Sequence, residues 1–207
     1  MIRRTFLYRL PQDKRENVAA RLSANAREIR QEAAALGIDN FSLWRVADLL
    51  CGYGEWASED APAELPASLK AALGADSELL CAPGTMRLMY HDIGVVRADK
   101  SLIRHRVFAT RLKPGCEEEY KRRHDGLIEA RGDKVSEGPD SNFTIWYGAG
   151  YIFGYDEKVK SFDHEPTEEE KAADIQWETR QLEIMDWLTD DVDWITGQKH
   201  EAMQRLL

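Results

Sequence analysis

Residues 4–55 of this 207-residue chain recur, in one ungapped register, 102 positions further on. Arg4, Phe6, Arg9 and Leu10 fall on Arg106, Phe108, Arg111 and Leu112, and Glu16 and Arg21 fall on Glu118 and Arg123. Asn40, Phe41, Trp44 and Ala47 fall on Asn142, Phe143, Trp146 and Ala149, and Gly52, Tyr53 and Glu55 fall on Gly154, Tyr155 and Glu157. Self-similarity held over a long period marks copies of one supersecondary unit and outranks any local pattern in deciding the fold. The length is therefore read as two homologous halves, 1–100 and 101–207, each of which has to bury a core of its own.

Each half reads as strand, helix, hairpin, helix and a closing strand. Thr5-Phe-Leu-Tyr-Arg-Leu10 and Val107-Phe-Ala-Thr-Arg-Leu112 are short runs rich in β-formers that stop at Pro11 and just before Pro114. From Gln12 to Leu36 the residues Val18, Leu22, Ala26, Ile29, Ala33 and Leu36 recur at threes and fours, which predicts one helix ended by Gly37. The runs Phe41-Ser-Leu-Trp-Arg-Val46 and Leu49-Leu-Cys-Gly-Tyr53 predict a hairpin, as do Phe143-Thr-Ile-Trp-Tyr147 and Tyr151-Ile-Phe-Gly-Tyr155 around Gly148 and Gly150. A second helix is expected near Ser68–Leu73 and, behind the capping box of Thr167 and Glu170, from there to about Leu188. Met86-Arg-Leu-Met-Tyr90 is expected to close the first half, and the stretch from His200 to Leu207 ends the second as strand or helix. The order βαββαβ is the ferredoxin-like one, so the expected class is α+β, two tandem ferredoxin-like halves whose sheets face each other and close one barrel.

Composition narrows the function classes. Lys and Arg number 28 against 37 Asp and Glu, a net charge of -9, the wrong sign for a nucleic-acid partner. The excess lies in the second half: 13 basic and 14 acidic residues precede position 103, and 15 and 23 follow from it. No long apolar run or signal-type start occurs, so neither membrane nor export is expected and the chain is read as cytoplasmic. Cys51, Cys81 and Cys116 are odd in number and lack CxxC spacing, which argues against a disulfide framework or structural zinc. His91-Asp92 and Asp163-His164-Glu165 hold metal-capable groups without the spacing of a ligand set, so no metal is expected.

The repeat itself points to a site. Val18 and Leu22, on the inward stripe of the first helix, are replaced at the same places in the second half by Tyr120 and His124. A phenol and an imidazole one helical turn apart beneath an aromatic sheet suit acid, base or orienting roles. The competing reading is a buried histidine bonded to Tyr120 or to a backbone group. Trp146 and Trp177 are candidate aromatic platforms for a ligand at such a site. Trp146 and Arg123 have counterparts in the other half, Trp44 and Arg21, which favours an architectural role for both.

Tyr120-Lys-Arg-Arg-His124, preceded by the strand Val107–Leu112 and the turn Cys116-Glu-Glu-Glu119, resembles the signature of the L-rhamnose mutarotase family, and the resemblance runs from about Arg104 to Tyr155. It implies a dimeric α+β barrel of ferredoxin-like subunits that interconverts the α and β anomers of a pyranose without a cofactor. It implies a proton donor at His124, a helix tyrosine at Tyr120, and a pocket that includes Phe143, where the family has tyrosine. The family's Trp-Trp pair falls on Gln181-Leu182, with Trp177 one turn earlier. The first half is then a degenerate copy that completes the barrel, which makes the chain a monomeric pseudo-dimer or a homodimer with a small sugar as its partner. The other readings are a sugar-binding or scaffold protein without turnover, and a small monooxygenase or haem-handling protein of the same barrel superfamily.

Overall fold

A computed structural model describes residues 1–135, 137–161, 165–188 and 203–207, and within them the two repeated segments fold alike. The pair Asp163-His164 and the start of the tail at His200 lie outside the described residues. The chain is mixed α+β, with two antiparallel five-stranded sheets and five α-helices among the described residues. It divides into two units, Met1–Met86 with Met203–Leu207, and Arg87–Ala202. None of the described helices is long and apolar enough to cross a membrane.

The first unit holds β1 (Ile2–Arg9), α1 (Arg15–Ala24), α2 (Ala26–Ala35), β2 (Ile38–Val46), β3 (Leu49–Trp56), α3 (Ala67–Leu73) and β4 (Glu78–Cys81). The second holds β5 (Arg87–Asp92), β6 (Ile103–Leu112), α4 (Glu117–Arg131), β7 (Asp140–Gly148), β8 (Tyr151–Val159), α5 (Glu168–Gln181) and β9 (Met185–Trp187), and the strand β10 (Gln204–Arg205) returns to the first. The sheets run β10-β2-β3-β1-β4 and β5-β7-β8-β6-β9. Among the described residues each order is open at both ends, so hydrogen bonding there closes neither sheet into a barrel.

Three local expectations need correction. The single helix over Gln12–Leu36 is broken at Asn25, whose side-chain Nδ2 donates to Arg21 O at 2.8 Å and so competes with the helical ladder. The strand that closes the first unit is β4, not Met86–Tyr90. A turn in which Thr85 N donates to Ala82 O, with Gly84 at φ +81, separates the two, and β5 pairs instead with β7. The last helix begins at the expected capping box, with Glu170 N donating to Thr167 Oγ1 and Thr167 N to Glu170 Oε2. It stops at Gln181, because Met185–Trp187 is taken up as a strand beside β6.

Several of the residues shared by the two halves answer a backbone constraint. Phe6 lies flat over Gly52 and Phe108 over Gly154, so closely that a Cβ at either glycine would stand 1.9 or 2.1 Å from the ring. Both hairpins carry a bulge whose asparagine takes a left-handed backbone, Asn40 at φ 49 and Asn142 at φ 56. Each asparagine donates from Nδ2 at 3.1 Å to a buried carboxylate, Glu55 or Glu157, which also accepts from Tyr53 or Tyr155. In the second unit Lys100 adds an ion pair to Glu157 at 2.7 Å. Burial alone would raise that carboxyl, but the bonds from Lys100, Asn142 and Tyr155 hold it below its ordinary range.

Arg21 and Arg123 do one job in both halves. Arg21 Nε donates to Ala72 O, in the last turn of α3, at 2.9 Å. Arg123 Nη1 donates to Arg180 O, in the last turn of α5. A helix leaves its final carbonyls without internal partners, and here a guanidinium from the first helix of each half supplies one.

Candidate functional site

Beneath the helices the two units differ. In the first, Val18, Leu22, Leu69 and Leu73 pack with Phe6, Phe41 and Leu43 into an apolar cluster. In the second the corresponding space holds a cavity of about 340 Å³. Tyr90 from β5, Arg106 and Phe108 from β6, and Phe143 and Ile145 from β7 form its floor. Tyr120, His124 and Leu127 of α4 and Asp174, Trp177, Glu178 and Gln181 of α5 form its roof, and Met185 and Trp187 of β9 complete it.

His124 is 4% exposed and Tyr120 2%. The Nδ1 of His124 lies 2.9 Å from Tyr120 O, and because a carbonyl only accepts, the proton is assigned to Nδ1 and Nε2 is left with its lone pair. The imidazole stacks on Tyr120 with centroids 4.2 Å apart, and meets Tyr90 at 5.5 Å and Trp177 at 5.3 Å edge to face. Three aromatic rings around one imidazole remove the water that would solvate its cation. Desolvation therefore pulls its pKa to about 4, against a smaller upward pull from the Tyr120 carbonyl. Burial, with Glu178 nearby, drives the Tyr120 phenol far above its ordinary value. At neutral pH both groups are uncharged, and the imidazole is a hydrogen-bond acceptor.

Charge enters the cavity at its floor and at α5. The Arg106 guanidinium lies 5.5 Å over the Phe143 ring, and its Nε is 3.5 Å from an oxygen of Asp156, its partner across the sheet. Asp156 is fully buried, and burial together with the neighbouring Asp140 carboxyl raises it to about 7, while Arg106 opposes. Asp174 and Glu178 stand one turn apart on α5.

Of the residues singled out from the sequence, Tyr120, His124, Phe143 and Trp177 come together at this cavity. Trp146 and Arg123 are not among its walls. Trp146 is buried and stacks on Phe153, its partner across the hairpin, on the sheet face opposite Ile145. Arg123 is spent on Arg180 O, Glu119 and Glu183 at the end of α5.

Sequence reasoning missed Tyr90, Arg106 and Gln181. Tyr90 lies outside the repeated register, in the strand assigned to the other half. Arg106 was visible only as a repeated residue. Gln181 stands four residues after Trp177, the helical spacing that puts both on one face, but spacing alone does not show that the face is buried. Comparison with family models, with curated proteins and with solved structures finds no match to this chain.

Proposed function

We propose that the second unit binds a monosaccharide and interconverts its anomers by cofactor-free proton transfer, as an L-rhamnose mutarotase does, and that the first unit is a related copy without a site. The observation that carries the reading is the aromatic cavity around His124, with Tyr120 stacked on the imidazole and Trp177 at its edge. Aromatic faces suit the apolar CH surface of a sugar, and a few converging polar groups suit its hydroxyls. The core order β2-β3-β1-β4 recurs as β7-β8-β6-β9, which supports two ferredoxin-like halves, each with one added edge strand.

In this reading the resting His124 acts first as base. Its Nε2 takes the proton of the anomeric hydroxyl as the bond from the anomeric carbon to the ring oxygen breaks, and water supplies the proton that the ring oxygen gains. The open aldehyde turns, the ring hydroxyl adds back to the carbonyl and returns its proton to water, and the imidazolium gives its proton to the new anomeric oxygen. Tyr120 holds the ring of His124 by stacking and holds Nδ1 through its backbone carbonyl.

A second reading, sugar binding without turnover, is favoured by the same imidazole. A base with a pKa of about 4 accepts protons weakly at neutral pH, where a value near 7 works best. Exchange NMR on L-rhamnose, L-fucose and uronic acids separates the two. Anomer exchange accelerated by the protein supports mutarotation, and a sugar-dependent rise in melting temperature with no acceleration supports binding alone. A panel that shows neither effect refutes both.

A further inference from the structure

We infer that Gln181 is the residue that orients the ligand in this cavity, by pairing its carboxamide with two hydroxyls on adjacent ring carbons of a neutral sugar; the choice of a sugar rests on the function proposed above. The side chain is 2% exposed and lines the cavity, and neither its Oε1 nor its Nε2 has a hydrogen-bond partner among the described residues. A buried amide without partners destabilises a fold, so one that lines a cavity is a group held ready for something that enters.

The internal repeat supplies a control. Arg21 and Arg123 bind the last turns of α3 and α5, and the final residues of those helices are Leu73 and Gln181. Both are 2% exposed. The first half therefore fills with leucine the place that the second half gives to an amide. Val18 against Tyr120 and Leu22 against His124 are exchanges of the same kind. All three polar replacements meet at one cavity, while its floor keeps the aromatic or aliphatic character of the other half, Phe108 for Phe6, Phe143 for Phe41 and Ile145 for Leu43. Folding explains the floor; it leaves the three exchanges in the roof unexplained.

The ligand class follows from the groups. A carboxamide presents an acceptor and a donor side by side, which a vicinal diol meets with one hydroxyl donating and the next accepting. Asp174 and Glu178 against Arg106 leave the cavity with more negative than positive side chains, which disfavours a uronate.

The test uses the full chain, L-rhamnose, the matching set of its monodeoxy analogues, L-fucose and glucuronate, with Gln181→Leu and the unbranched Gln181→Met as variants. Melting and calorimetric titration are the readouts. We expect both variants to melt higher than the parent and to bind L-rhamnose about ten- to a hundredfold more weakly, the loss of one or two hydrogen bonds. Two monodeoxy analogues lacking neighbouring hydroxyls should bind the parent more weakly than L-rhamnose does, yet match L-rhamnose on the variants. Variants that bind within twofold of the parent overturn the role of Gln181 and leave the sugar pocket standing. A parent that binds no sugar in the set overturns the pocket reading and the diol assignment with it. Variants that both melt lower than the parent show an amide already paired within the fold, and overturn the inference on structural grounds.

Discussion

Replacing His124 by leucine, the residue at the same place in the first half, isolates the energetic consequence of burying an imidazole among three aromatic rings. The pKa falls from 6.5 to about 4 on folding. Below 6.5 the unfolded chain takes up a proton that the folded chain refuses, so stability falls as pH drops, and it levels off below about 4. At roughly 1.4 kcal/mol per unit, the full effect is about 3 kcal/mol. Asp156 works in the opposite sense. Its carboxyl, raised from 3.8 to about 7, makes a contribution that is complete below its unfolded value and is lost as pH rises through 7. The parent's own pH profile therefore hides both groups, and the difference between parent and His124→Leu removes the Asp156 slope. Urea unfolding at steps from pH 7 to pH 4 should show the variant gaining on the parent by about 3 kcal/mol across that range. A separation that stays constant with pH would refute the desolvation argument.

Three further changes test the packing. Gly154→Ala would set a Cβ 2.1 Å from the Phe108 ring, so the second unit should lose more than the ~1–3 kcal/mol usual for overpacking, and Phe108→Leu should restore part of it in thermal melts. Asn142→Ala places alanine at φ 56 and removes a donor to buried Glu157, a loss of about 2–4 kcal/mol measurable by denaturant titration. Arg123→Met should destabilise the chain by about 1–3 kcal/mol and speed amide exchange at the end of α5. An unchanged melting temperature with weakened sugar binding would instead mark Arg123 as a ligand contact.

The repeat made the mixed α+β class and the two hairpins legible in the sequence, because several of the residues it preserves are those that backbone geometry allows little freedom. Glycine under a phenylalanine ring, asparagine in a left-handed bulge and an arginine on the end of a helix are each constrained by their immediate neighbours. The residues that differ at matched positions, Tyr120 and His124, were visible for the opposite reason, since nothing in the fold asks for them. Strand assignment failed where it depends on partners distant in sequence. Nothing within Glu78–Cys81 or Arg87–Asp92 says which sheet each will join, and β5 carried Tyr90 into the site by joining β7. Gln181 stayed hidden because a glutamine in an acidic helix reads as solvated surface until its burial is known. The sequence pattern also says nothing of protonation: an imidazole ordinarily titrates near 6.5, and here it is held neutral by the rings around it.

The central claim, that the cavity of the second unit turns over a sugar through His124, meets its most direct test in the anomer exchange rate of L-rhamnose measured by saturation-transfer NMR with the parent and with His124→Leu. The account predicts faster exchange with the parent at neutral pH and only the uncatalysed rate with the variant, at equal protein concentration and with both folded by circular dichroism. Equal acceleration by parent and variant would contradict it.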